Sequence, residues 1–294
     1  MNLRTRIAVM AVICLLLSVQ ACLADEGVWR KADMDSVAVW YQDYNNTAKT
    51  SLVFIHGWSC DSSFWKYQIP AFNKTYRVIC IDLPGFGRSD KPQNIAYSMD
   101  FFARAVKKVM DETGVENPIL VGHSMGYAVT RQYLTDYPGT VKAVCNVDGA
   151  YFRIPEDPKA LEAMQAEKEG IIKGMTGPNR PEAVHAFIKS TFYGKTPPEL
   201  QKEIESVMAA ADPHAANSSL MEMFKLDQWA HRSFDVPALS LYAVNPYLTP
   251  DEEAYQRTVF PKLTFALWDD CGHYLMLEKA ARFNTALRNF IRDL

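Results

Sequence analysis

Apolar and polar positions along this chain fall into two regimes. Short apolar runs, each bounded by Gly, Pro, Asn or charged residues, recur at 51–55, 76–81, 117–121, 141–147, 237–244 and 263–268. Runs this short and this uniformly apolar predict strands covered on both faces, as in a parallel sheet. Between 151 and 234 the pattern changes to longer amphipathic stretches rich in Ala, Glu, Lys and Met. These predict helices over 158–172, 181–192, 197–211 and 218–229, each opening near Pro or Ser and separated by Gly, Pro and Asn. The layout is an α/β core over 25–150 and 235–294 with a helical cap, 151–234, inserted in it. Cap residues such as Phe187, Phe192, Met208, Met223, Phe224 and Trp229 mostly serve to bury the cap, and some could line a pocket.

The run at 117–121 leads into Gly122-His123-Ser124-Met125-Gly126, followed by a helical pattern that stops at Tyr137-Pro138-Gly139. Strand, sharp turn and helix in this order lift a serine away from the chain, where an adjacent base could activate it. Gly122 and Gly126 lack the Cβ that would obstruct such a turn. Ser124 is the expected nucleophile.

Upstream, the run at 51–55 ends in His56-Gly57-Trp58. Acyl transfer places negative charge on a carbonyl oxygen, and fixed backbone N–H groups stabilise it. The expected donors are the N–H of Met125, at the start of the helix after Ser124, and the N–H of Trp58.

Phe54-Ile55-His56-Gly57-Trp58, Asp82-Leu83-Pro84-Gly85-Phe86-Gly87-Arg88-Ser89-Asp90, the Ser124 pentapeptide and Cys271-Gly272-His273-Tyr274 follow one another in the order found in the α/β-hydrolase superfamily. The chain resembles that superfamily over nearly all of its length after Val28. The resemblance implies a mostly parallel sheet of about eight strands flanked by helices, with a catalytic triad at the strand ends. It gives the Asp82 to Asp90 segment a structural role in the loop after the 76–81 strand. Relatives that hydrolyse epoxides or haloalkanes attack with an aspartate at the elbow, and the serine here argues against both activities.

A histidine must act as base, because imidazole can accept and return a proton near neutral pH. His123 adjoins the nucleophile but points elsewhere, and His185, His214 and His231 fall in the cap segment. His273, in a glycine loop matching the superfamily's Gly-His pattern, is the expected base. The acid departs from the commonest arrangement: the 237–244 strand runs into Asn245-Pro246-Tyr247 with no carboxylate. Asp251 and Glu252 have a plainer reading, in which Thr249 caps a helix, Pro250 opens it and the acids favour its N-terminus. Asp148, ending the strand after the nucleophile helix, is favoured because consecutive parallel strands joined by a helical crossover lie side by side. Asp251 and Asp270 remain the alternatives.

Arg4 and Arg6 precede an apolar stretch over 7–19 that is short for a membrane span and suited to a signal peptide within residues 1–24. Cleavage before Cys22 would leave a lipid-anchored cysteine, and cleavage before Asp25 would release the chain; an uncleaved anchor is the third outcome. Export is expected in each case. Cys80 and Cys145 sit in core strands, and Cys60 and Cys271 flank the two active-site loops, where an oxidising compartment would permit a disulfide. No zinc spacing occurs, and no metal or cofactor is expected. The formal charge of −3 becomes −5 once Arg4 and Arg6 are removed, and no basic run occurs, so nucleic acid is an unlikely partner.

These features point to a serine hydrolase acting on carboxylic esters of small, fairly apolar molecules. Lactonases, carbon–carbon bond hydrolases and perhydrolases would use the same triad. A ligand receptor that keeps the fold without turnover is the reading from outside enzymology.

Overall fold

The computed structural model describes residues 27–246 and 248–294. The expected signal segment, with Arg4, Arg6 and Cys22, lies outside the described residues. Strands β1 (Val28–Met34), β2 (Val37–Tyr44), β3 (Ser51–Ile55), β4 (Arg77–Ile81), β5 (Ile119–His123), β6 (Ala143–Val147), β7 (Ala238–Ala243) and β8 (Leu263–Trp268) form one eight-stranded sheet. Their order is β1-β2-β4-β3-β5-β6-β7-β8. From β4 to β8 every pairing is parallel, while β1 and β2 join antiparallel at one edge.

Every residue of β3, β5, β6 and β7 is buried. Helices on both faces account for this, and it is why these strands read as continuous apolar runs rather than alternating ones. The β1–β2 hairpin has no such run. Its turn residues, Asp35 and Ser36, both carry positive φ, at 48° and 70°, the geometry of a tight hairpin turn. Two long helices of the core are α1 (Met99–Thr113) and α2 (Met125–Asp136). Ser98 caps α1 by accepting from the Phe101 N–H, and Gly114 ends it in the left-handed region at φ 63°.

Between β6 and β7 lie α3 (Pro158–Thr176), α4 (Arg180–Ser190), α5 (Pro198–Ala209) and α6 (Pro213–Met223). They contact the loops that leave the strand ends: the Trp58 indole N–H donates to the Ala216 carbonyl at 2.8 Å, and the His273 N–H to that of Thr191 at 2.9 Å. Several helix boundaries differ from the sequence pattern, the first cap helix running on to Thr176, and two of the differences have a visible cause. The helix expected over 218–229 is α6, which starts earlier because Asp212 accepts from the Ala215 N–H at 2.9 Å and Pro213 opens the first turn. A separate short turn, Asp227–Trp229, follows it. The helix near Thr249 is α7 (Glu252–Val259), with Asp251 rather than Thr249 at its cap position. The Asp251 side chain does not cap; it pairs with Arg153 at 2.7 Å, because a charged donor outcompetes a backbone N–H. The chain closes with α8 (Ala280–Arg292).

Cys60, Cys80, Cys145 and Cys271 are all free, so no Cys60–Cys271 disulfide is present. Among the described residues, no helix is long and apolar enough to cross a membrane.

Candidate active site

Ser124 follows β5 with φ 52° and ψ −119°, a backbone conformation costing about 1–3 kcal/mol for a residue with a Cβ. Its neighbours hold it there. The Ser124 N–H donates to the Val147 carbonyl at 3.1 Å, and the Ser124 carbonyl accepts from Ala150 at 3.0 Å, so both backbone groups are tied to the end of β6 and the loop after it. The two glycines serve close approach and not left-handed geometry. A Cβ on Gly126 would stand 2.3 Å from the Ile55 carbonyl oxygen, and one on Gly122 would stand 2.5 Å from that of Gly126.

Asp148 ends β6 at φ 44° and is buried. One carboxylate oxygen accepts from the Ala243 N–H at 2.9 Å and the other contacts His273 Nδ1 at 2.6 Å. A carboxylate only accepts, so Nδ1 carries the hydrogen and Nε2 of His273 keeps its lone pair. The other acids considered lie elsewhere: Asp251 is with Arg153, and Asp270 is with Lys279 and Arg282. These cations hold both exposed carboxyls below their ordinary range, the Arg153 hydrogen bond acting on Asp251 and that of Lys279 on Asp270.

His123 links Ser124 to His273. Its ring centre lies 4.7 Å from that of His273 with the planes tilted at 47°, and its Nε2 donates to the His273 carbonyl at 3.0 Å. Burial, reinforced by His273 beside it, keeps the His123 pKa well below the usual imidazole value, so the ring is neutral. No hydrogen bond joins the Ser124 hydroxyl to His273 in this structure; the two sit at one rim, held through His123 and through the Asp148 loop. In unliganded sites such bonds are commonly long and tighten with substrate.

The β3 loop presses on the same place. A Cβ on Gly57 would lie 3.1 Å from that of Ser124, which puts the loop that carries the next residue, Trp58, against Ser124. Met125 is the first residue of α2, and its N–H is among those with no acceptor inside the helix. His56 ties this loop to the next by accepting from the Leu83 N–H at 3.0 Å and donating to the Gly57 carbonyl at 2.8 Å. The Asp82 carboxylate accepts from Ser62 and Arg88 backbone N–H groups, both at 2.8 Å, and so braces the loop after β4.

The sequence pattern did not single out Asn146 and Tyr242. Asn146 is a buried amide inside an otherwise apolar strand, and that interruption was the available signal.

A family model described as alpha/beta hydrolase fold matches residues 50–280. The chain is 29% identical to a 2-hydroxy-6-oxononadienedioate/2-hydroxy-6-oxononatrienedioate hydrolase of Paraburkholderia phymatum, over 84% of this chain and 90% of that protein. It is 25% identical to Lipase 3 of a Moraxella species, over 81% of this chain and 76% of that one. Among solved structures, an esterase from Exiguobacterium antarcticum superposes with a TM-score of 0.77 at 20% identity, covering 91% of this chain and all of its own, and this likeness speaks to the fold.

Proposed function

This chain belongs to the alpha/beta hydrolase fold family, and from that premise we propose that it is a serine hydrolase which cleaves carboxylic esters of small, fairly apolar molecules through an acyl-enzyme. The observation that carries the reading is the 2.6 Å contact between His273 Nδ1 and Asp148, made at the rim where β5 delivers Ser124 on a strained turn.

In the proposed reaction, His273 Nε2 takes the Ser124 proton as the serine oxygen attacks the ester carbonyl. Asp148 keeps the ring in the tautomer that can accept and stabilises the imidazolium formed. The N–H groups of Trp58 and Met125 receive the carbonyl oxygen as it becomes an anion, each donor being worth about 3–4 kcal/mol in comparable sites. His273 returns the proton to the departing alcohol. Water, activated by the same ring, then attacks the acyl-serine; its hydroxyl goes to the acid, and the proton passes back to Ser124.

The identity shared with the Paraburkholderia phymatum hydrolase favours a second reading, cleavage of a carbon–carbon bond by the same groups. A fluorophosphonate label tests the enzyme reading first: rapid labelling that Ser124→Ala abolishes is expected, and an unreactive serine would instead support a ligand receptor. A panel of chromogenic esters beside a 2-hydroxy-6-oxo-dienoate separates ester from carbon–carbon hydrolysis. The proposal extends to the compartment: Arg4, Arg6 and the apolar 7–19 stretch direct export, with lipidation at Cys22 if cleavage falls before it. Cell fractionation with metabolic lipid labelling distinguishes the anchored form from the released one.

A further inference from the structure

Lys168 lies on α3 and is only 6% exposed. It shares the buried side of that helix with Met175, seven positions on, while most of the remaining side chains of α3 reach solvent. A lysine on a surface helix normally runs its stem along the protein and leaves its ammonium in water. Here the ammonium goes inward. Among the described residues, its Nζ is buried with no hydrogen-bond partner. Nζ stands 4.0 Å from the centre of the Phe152 ring and 5.8 Å from that of Phe224, and the two rings meet edge to face at 5.2 Å.

Aromatic faces recover part of the hydration lost by a cation, about 0.5–2 kcal/mol, but not all of it. An ammonium held away from water without an anion is a standing cost that an apolar residue of similar length would avoid. Burial alone lowers the pKa of this group, to about 8, with no carboxylate contributing, so the amine is still mostly charged at neutral pH. Among the described residues, no hydrogen-bonded anion completes this site.

The position indicates which ligand. Phe152 follows Asp148 by four residues, which bounds their separation at about 14 Å even for extended chain. The intervening loop is pinned to the nucleophile by the Ala150 N–H on the Ser124 carbonyl. Phe224 ends α6, the helix whose Ala216 carbonyl holds the Trp58 indole. Both aromatic residues beside Lys168 thus belong to segments that are hydrogen-bonded to the loops at the catalytic rim.

We propose that the Lys168 ammonium, between Phe152 and Phe224, receives a free carboxylate carried by the substrate, so that the preferred substrate is an ester bearing a second, unesterified carboxyl group. This rests on the serine hydrolase reading and narrows its substrate class.

Two measurements test it. The first compares 4-nitrophenyl butyrate with mono-4-nitrophenyl glutarate, a neutral ester and one with a free carboxylate. The wild-type protein is expected to favour the glutarate ester at least tenfold in kcat/KM, mainly through KM; Lys168→Met and Lys168→Gln abolish this ratio and Lys168→Arg keeps part of it. A ratio unchanged by Lys168→Met overturns the proposal. The second follows thermal unfolding of the Ser124→Ala protein with glutarate and with uncharged glutaramide. Glutarate alone is expected to raise Tm, and the rise is expected to vanish on adding Lys168→Met. Absence of any glutarate effect overturns the carboxylate site even if both esters are cleaved. A Lys168-dependent glutarate effect with neither ester cleaved supports the site and overturns the hydrolase reading instead.

Discussion

The side-chain amide of Asn146 donates to the hydroxyl of Tyr242 at 2.7 Å, and both side chains close on the residue that follows Asp148. The Gly149 N–H donates to Asn146 Oδ1 at 2.8 Å, and the Tyr242 hydroxyl donates to the Gly149 carbonyl at 3.4 Å. This small closed circuit fixes a turn whose first residue, Asp148, sits at φ 44°. It spans β6 and β7, the strands that hold the carboxylate from either side.

Tyr242→Phe opens the circuit. The Asn146 amide would keep only Ser240 Oγ, at 3.5 Å, and a poorly satisfied buried donor costs about 1–3 kcal/mol. At about 2–4 °C per kcal/mol for a chain of this size, Tm should fall by several degrees. Because the turn also aims Asp148, kcat should fall by more than KM changes. Calorimetry with steady-state kinetics checks both, and a variant with full kcat and lowered Tm would limit Tyr242 to a structural role.

Asp148→Asn should lower turnover by about four orders of magnitude, because an amide that donates to the ring would select the wrong imidazole tautomer. Asp251→Asn and Asp270→Asn should change turnover less than about twofold. Both carboxylates sit in solvent-screened surface ion pairs, which contribute little to stability and do not touch His273. Measuring kcat for the three variants on one ester decides the assignment; a large loss at Asp251 would move the acid to β7's loop.

That Ser124 stands out in the sequence more sharply than any candidate acid has a physical source. The elbow is a local device: its glycines, strand and helix are contiguous, so the demands of close packing are written within a few residues. The Asp148 assignment depends on β6 lying between β5 and β7, a long-range pairing that only the right-handed crossover argument could supply. The β1–β2 hairpin was not marked out among the apolar runs because its burial alternates, and its Asp35-Ser36 turn carries no glycine to signal positive φ. The start of α6 is written in Asp212-Pro213, which outweighs the later Ser218 as a helix opening because the Asp212 carboxylate caps and Pro213 fits the first turn. Lys168 was unreadable in principle, since an amphipathic pattern assigns every lysine to the solvent side.

Stability should decline as pH falls below about 6.5. His56 and His123 are both buried, and burial lowers both below the ordinary 6.5, so the unfolded chain binds protons there that the folded one refuses. With more protons bound in the unfolded state, stability rises with pH and is lost on acidification, at up to about 1.4 kcal/mol per pH unit for each group. His123→Gln preserves a donor for the His273 carbonyl and removes one titration. Urea unfolding between pH 7 and 5 should show a shallower acid limb for this variant, and an unchanged limb would assign the effect to other groups.

Lys168→Met should raise stability at neutral pH, contrary to the usual result of altering a buried residue. The folded pKa of about 8 lies below the ordinary 10.5, so between these values the unfolded chain holds a proton that the folded chain has shed. Stability from this group therefore rises with pH through that window, and below pH 8 the folded protein carries the whole cost of the buried ammonium. The advantage of Lys168→Met over the wild type should be largest at pH 7 and shrink steadily toward pH 10. Buried cysteines and tyrosines titrate alkaline as well, but they are common to both proteins and cancel in the difference. Paired urea titrations at pH 7, 8, 9 and 10 measure it, and a gap that stays constant with pH would mean that the ammonium reaches water in solution.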